Sequence, residues 1–164
     1  MQRNPYRAVF IAVIGLSTLS VQATEIPKSG NFDYTACWTQ TSATVVFSKT
    51  HSATTYELVG ITKSNIPDHF LDNNAFRCLG HSTNFHGKQT NANVCESIDP
   101  SGDKRLSQFI LGGDGITQRV QVAGTGKYDG ATFETKVSGN MTGPVIKPGV
   151  TNACNRQTGT YTLK

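Results

Sequence analysis

The chain has 164 residues, four of them cysteines, with 16% charged residues and a formal net charge of +4. This length is usual for one domain, so we do not expect several domains. Lysine and arginine are scattered singly apart from the neighbours Lys104 and Arg105, which argues against the clustered positive charge of a nucleic-acid-binding surface.

The first 23 residues have the features of a secretory signal peptide. Arg3 and Arg7 precede an apolar run over residues 8–16, and small residues in the segment 21–23 form the end at which a signal peptidase cleaves. A retained anchor is the alternative, but polar residues interrupt the run before it reaches the roughly 20 apolar residues of a membrane span. We expect residues 24–164 to be periplasmic or secreted, with a formal charge of +2 and no stable membrane anchor.

All four cysteines lie in this mature part. An even number in an exported protein predicts disulfides, and four cysteines allow three pairings. We favour Cys78 with Cys95, which closes a short loop, and Cys37 with Cys154, which ties the two ends of the domain together. A zinc site is the alternative, but no C-x-x-C pair is present and the spacings are wide, so we expect no metal.

The mature chain contains short runs in which apolar and polar residues alternate. A period of two residues predicts half-buried strands, with the apolar face of each run toward the core. The runs are defined, in chain order, by Val45 and Phe47, Tyr56 and Leu58, Val94 to Ile98, Leu106 to Leu111, Ala131 with Phe133 and Val137, and Tyr161 with Leu163. In one further run, Ile116, Val120 and Val122 alternate with the polar residues Thr117, Arg119 and Gln121.

Turn-forming residues separate these runs. They predict turns at residues 51–53, 99–103 and 112–115, and Gly124-Thr125-Gly126 predicts a bulge or sharp bend. Residues 64–75 are expected to form a loop with one helical turn.

Regularly spaced short strands without a long helical pattern predict a single all-β domain. We expect one antiparallel β-barrel of about eight strands, held by disulfides, with a β-sandwich as the alternative. The barrel is favoured because closing the sheet removes its exposed edges. A bridge from Cys37 on the first strand to Cys154 at the start of the last strand would fit closure.

Several segments resemble small exported proteobacterial proteins of unknown function, a resemblance that implies no activity. They are residues 99–105, 122–130, 36–38, 76–78, 145–149 and 157–161. The segment from Gly124 to Gly130 is also similar to the strand–bend–strand segment of the allene oxide cyclase and dirigent barrels. That second resemblance implies an eight-stranded, lipocalin-like antiparallel barrel whose interior can hold an apolar or phenolic ligand. No catalytic residues of that family match positions in this chain.

The side chains that we expect to contact a ligand are aromatic: Trp38, Tyr56, Tyr128 and Phe133. The alternative is that these aromatics fill the core, with Tyr128 closing the barrel and the nearby glycines relieving backbone crowding. The histidines are expected to be exposed loop residues, although His81 and His86 could approach each other beside Asp68 or Asp72. There is no G-x-S-x-G motif, and oxidised cysteines lack the thiolate that a nucleophile needs.

Three functions follow from these features. The first is a non-catalytic exported barrel that binds a small apolar or aromatic ligand or a protein partner, without a cofactor. The second is a barrel enzyme of cyclase or isomerase type, which requires an inward carboxylate or tyrosine; Glu57, Glu96 and Glu134 are the strand carboxylates available. The third is a periplasmic inhibitor of a cell-wall-active enzyme, with residues 64–75 or 143–149 as its projecting loop.

Overall fold

The computed structural model of the chain describes residues 25–112, 115–145 and 147–164, so the predicted signal peptide lies outside the described residues. These residues form eight strands and one short 3₁₀ turn, Gly126–Tyr128, which precedes β7. The strands are β1 (Ser29–Ser48), β2 (His51–Ser64), β3 (Ala75–Phe85), β4 (Lys88–Ile98), β5 (Lys104–Leu111), β6 (Thr117–Gly124), β7 (Thr132–Thr142) and β8 (Val150–Thr162).

All eight strands belong to one antiparallel sheet. Consecutive strands pair from β1 to β6, and β8 pairs with both β1 and β7, which gives the order β6-β5-β4-β3-β2-β1-β8-β7. The two edge strands, β6 and β7, lie beside each other, so the sheet curls into a nearly closed barrel. The predicted all-β, antiparallel barrel of about eight strands is therefore confirmed, and the sandwich alternative is not adopted.

The alternation of side chains along each strand decides which residues fill the barrel. On β1, Phe32, Tyr34 and Ala36 are buried, whereas Asp33 and Thr35 between them are only half-buried. Successive side chains of a strand point to opposite faces, so one face of β1 is committed to the interior. The turn predicted at residues 51–53 is wrong: the chain turns at Lys49 and Thr50, and residue 51 already begins β2.

One end of the barrel is closed by a packed hydrophobic core. The buried residues of this closed end are Phe32, Tyr34, Ala36, Leu71, Tyr128, Ala131, Tyr161 and Leu163. The loop between β2 and β3, residues 65–74, folds across this end and contains no helical turn, in contrast to the prediction. Leu71 of this loop is fully buried, and the Phe70 ring lies 4.8 Å from the Tyr161 ring, centroid to centroid.

A buried ion pair fixes two turns at the same closed end. The turn predicted at residues 99–103 is present, and Asp99 Oδ1 accepts hydrogen bonds from the backbone N–H groups of Ser101 at 2.9 Å and Asp103 at 3.1 Å. The ammonium of Lys127, in the 3₁₀ turn, binds the Asp99 carboxylate and lies 2.9 Å from Asp103 Oδ2. The sharp bend after β6 is thereby tied to the β4–β5 turn.

Two disulfides cross-link neighbouring strands, in the pairing that we favoured from the sequence. Cys78 and Cys95 join β3 to β4 and are buried. The second bridge joins Cys37 of β1 to Cys154 of β8. Two disulfides indicate an oxidising, exported environment. In the described ranges there is no helix with the length and apolar character needed to cross a membrane.

Candidate ligand-binding site

Beyond the packed end, the interior of the barrel is hollow. The cavity has a volume of about 400 Å³ and extends from Tyr34 and Gln157, next to the packed core, to Leu111 and Thr117, at the opposite ends of their strands. The hairpin turns β1–β2 and β3–β4 are also at that opposite end, which no packed core closes. We call it the open end. The barrel is therefore a cup with one closed and one open end.

Two of the aromatic residues predicted to contact a ligand, Trp38 and Tyr56, line this cavity. The Tyr56 hydroxyl donates to Asn91 Oδ1 at 2.5 Å and accepts from Asn93 Nδ2 at 3.2 Å, so its ring is held in one orientation. Gly80 on β3 makes room for that ring, because a Cβ atom at this position would lie only 2.7 Å from Tyr56 Cζ. The wall of the cavity therefore combines aromatic surface with oriented amide groups.

The other two, Tyr128 and Phe133, lie in the packed core and not in the cavity wall. Tyr128 is 1% exposed, and burial raises the pKa of its hydroxyl well above the ordinary value. Both rings lie against the guanidinium of Arg105, whose Cζ is 5.3 Å from the Tyr128 centroid and 4.8 Å from the Phe133 centroid. These residues form the layer beneath the cavity floor.

Arg119, which we did not select from the sequence, reaches from β6 to side chains of β1, β5 and β8. Its Nη1 donates to Gln157 Oε1 at 2.8 Å and to the hydroxyl of Tyr34, and its Nη2 donates to Ser107 Oγ at 3.1 Å. The Tyr34 hydroxyl in turn donates to Gln157 Oε1 at 2.7 Å. This network connects β6 to β1 and β8 through side chains, although β6 has no backbone pairing with either strand.

Arg105 is the second arginine in the cavity wall and is only 2% exposed. Its Nε and Nη1 atoms have no hydrogen-bond partner among the described residues. Burial lowers the pKa of Arg105 from its ordinary value, and the like charge of Arg119 acts in the same direction. An arginine nevertheless remains protonated in proteins. The cavity wall therefore carries two positive charges.

No aspartate or glutamate among the described residues lines the cavity, and none forms an ion pair with Arg105 or Arg119. The strand carboxylates lie on the outer face. Glu57 pairs with Arg77 at 2.5 Å, Glu96 pairs with Lys104 at 2.8 Å, and Glu134 is exposed. The barrel-enzyme alternative therefore lacks the inward carboxylate that these three residues were expected to offer.

We did not select Arg119 from the sequence because the apolar face of β6 is not the buried one. Val120 is 53% exposed and Val122 is 58% exposed, whereas Thr117 and Arg119, from the other face, line the cavity. The expectation that the valines face the core is wrong. The signal that could have identified Arg119 is the row of polar residues that alternates with the valines. Thr117 and Arg119 line the cavity and Gln121 is half-buried, so the three form a continuous polar face along β6.

At the open end, the structure brings together a different histidine pair from the one we considered. His51 Nε2 lies 3.1 Å from His86 Nε2, whereas His81 lies within β3. In the described part of the chain, no group of three or more histidine, cysteine, aspartate or glutamate side chains could hold a metal ion.

Phe47, near the tip of the β1–β2 hairpin, is 88% exposed, whereas the expected projecting loop at 64–75 packs onto the closed end.

No protein-family model, no curated protein and no solved structure matches this chain. The two resemblances suggested by its motifs therefore stay predictions, and the function has to be argued from the cavity and the residues around it.

Proposed function

We propose that this protein is an exported, non-catalytic β-barrel that binds a small apolar or aromatic ligand inside the barrel. The observation that carries the proposal is the hollow interior. Its volume of about 400 Å³ lies within the usual range of small-molecule pockets, and one end of the barrel is closed by a packed core.

The composition of the wall suits such a ligand. Aliphatic and aromatic side chains supply most of the surface, and they favour an apolar molecule because contact removes both surfaces from water. Among them are Trp38, Leu58, Phe76 and Phe109. Polar side chains are also numerous in the wall, and the fixed ones, including the amides that hold Tyr56, would orient the bound molecule.

A non-catalytic role is supported by the chemistry of the same wall. Among the described lining residues there is no histidine, aspartate or glutamate to transfer a proton. The two inward tyrosines, Tyr34 and Tyr56, already donate their hydroxyl protons to neighbouring side-chain amides. Cys78 and Cys95 also reach the cavity, but each is in a disulfide and offers no thiolate for attack.

The test is titration of the purified mature protein with N-phenyl-1-naphthylamine, a neutral aromatic dye that fluoresces when it leaves water. Trp38 is the only tryptophan of the chain and lines the cavity. Dye in the cavity should therefore accept excitation energy from Trp38. We expect saturable binding of one dye per chain, with sensitised dye emission.

Two neighbouring substitutions on β8 locate the site. Thr151 lines the cavity near the open end, whereas Asn152 is exposed on the other face. Thr151→Phe should fill part of the cavity and weaken dye binding, and Asn152→Phe should leave it unchanged. Equal binding by both variants would place the dye outside the barrel, and the absence of saturable binding would refute a hollow, ligand-binding interior.

A further inference from the structure

We propose that the ligand of this barrel is an organic anion, whose carboxylate or similar acidic group binds Arg105 and Arg119 while its apolar part lies toward the open end. This inference rests on the proposed ligand-binding function and specifies the chemistry of the ligand.

The first step of the argument is the unmet hydrogen-bonding capacity of Arg105. A side chain that is 2% exposed would ordinarily have every polar atom paired, but two of its guanidinium nitrogens have no partner among the described residues. The rings of Tyr128 and Phe133 stabilise the charge from one side, at 5.3 and 4.8 Å. Ring faces accept no hydrogen bonds of normal strength, so these N–H donors stay unsatisfied in the ligand-free barrel, within a side chain that lines the cavity.

The second step is the imbalance of charge. Two guanidinium groups share one cavity wall, and no carboxylate of the described residues forms an ion pair with either. Buried charges in proteins are ordinarily paired. An anionic ligand would supply the missing charge, and beside the buried Arg105 it would gain more from the arginines than it could at the exposed surface.

The third step is the arrangement of the other polar groups. Arg119 is already held by Tyr34, Gln157 and Ser107, so its guanidinium is fixed before a ligand enters. These contacts engage three of its five N–H groups, so Nε–H and the second Nη2 proton remain for the oxygens of a carboxylate or sulfonate. The remaining walls, which include Trp38, Leu58 and Phe109, offer the ligand apolar contact.

The test compares two dyes that differ by a single acidic group. 8-Anilinonaphthalene-1-sulfonate is N-phenyl-1-naphthylamine with one added sulfonate. A charge-assisted hydrogen bond to a buried arginine should make the anionic dye bind at least about tenfold more tightly than the neutral one. In Arg105→Met and Arg119→Met, the ratio of the two dissociation constants should fall toward one. Near-UV circular dichroism verifies that each variant is folded.

Arg77→Met is the matched control, because Arg77 lies on the outer face in an ion pair with Glu57, and it should keep the wild-type ratio. If the neutral dye binds and the anionic dye binds no more tightly, this inference is wrong and the proposed ligand-binding function stands. An unchanged ratio in both interior variants would equally overturn it. If neither dye binds inside the barrel, the proposed function fails as well.

Discussion

Breaking the two disulfides one at a time should destabilise the protein by different amounts. A cross-link stabilises mainly by restricting the unfolded chain, and the effect grows with the logarithm of the loop that it closes. Cys37 and Cys154 are 117 residues apart, which corresponds to about 5 kcal/mol. Cys78 and Cys95 are 17 residues apart, which corresponds to about 3 kcal/mol.

The assay needs a comparison that excludes packing effects, because Cys78 and Cys95 are buried and alanine would leave space at those positions. Each double alanine variant, C37A/C154A and C78A/C95A, retains one bridge. Urea unfolding of each variant, oxidised and after refolding in reductant, gives the contribution of the remaining bridge. The alanines are present in both states, so their packing cost cancels.

We expect reduction to cost C78A/C95A about 2 kcal/mol more than it costs C37A/C154A. Equal losses would refute the reasoning, and so would a larger loss in C37A/C154A. Either result would mean that the bridges act chiefly on the folded barrel, whose strands are already hydrogen-bonded neighbours at both sites.

Three further substitutions test the closed end, the wall and the floor of the cavity. Lys127→Met should lower stability by about 3 kcal/mol at neutral pH, because the Asp99 carboxylate, 2% exposed, loses its cation. Burial acts to raise the pKa of Asp99, but hydrogen bonds from Lys127, Ser101 and Tyr128 and the charge of Lys127 together more than offset it, and the pKa is lowered. The contribution of the ion pair is therefore present above the ordinary value of 3.8 and is lost as the pH falls through the lowered pKa. Melting temperatures of variant and wild type should converge as the pH is lowered through that pKa, and a gap that persists once the carboxylate is protonated would contradict the assignment. Gly80→Ala should cost about 1–3 kcal/mol in urea unfolding, since the new Cβ would lie 2.5 Å from Asn93 Cβ, and a neutral result would mean that the sheet relaxes freely there. Arg105→Met should keep or raise the melting temperature of the ligand-free protein, and a fall would mark Arg105 as a structural residue.

The fold was predictable because strand and turn signals in this chain are local. Alternating residues such as Tyr56 and Leu58 indicate a strand without knowledge of its neighbours, and Asp99 with Gly102 indicates a turn for the same reason. The exported context limited the roles of the cysteines, and the pairing of Cys37 with Cys154 was favoured because it ties the two ends of the domain together. Each inference depended on a few adjacent residues or on simple counting.

The site was less predictable because the residues of one strand do not show which of its two faces points into the barrel. That depends on the side chains that the other strands place opposite it. Alternation shows that Val120 and Arg119 lie on opposite faces of β6 but not which face is inside. The usual assumption that the apolar face is buried holds for Phe32 and Tyr34 on β1 but is wrong for Val45 and Phe47, which lie exposed on the other face of the same strand. It also fails on β6, where Arg119 meets Tyr34 and Gln157 from distant strands. Contacts between side chains of such distant strands cannot be read from the residues next to Arg119 in the sequence.

The inward polar face of β5 and β6 is costly for the folded protein unless something else compensates it. A guanidinium moved out of water loses its hydration, and for Arg105 two ring faces replace that hydration only in part. The like charge of Arg119 on the same wall adds to the cost. A methionine would fill a similar space without that cost. Residues that reduce stability but are held in a defined position are common in binding and active sites, because function and stability make conflicting demands on the same side chains. A rise in melting temperature on Arg105→Met, together with loss of the preference for the anionic dye, would be the combined signature of such a residue.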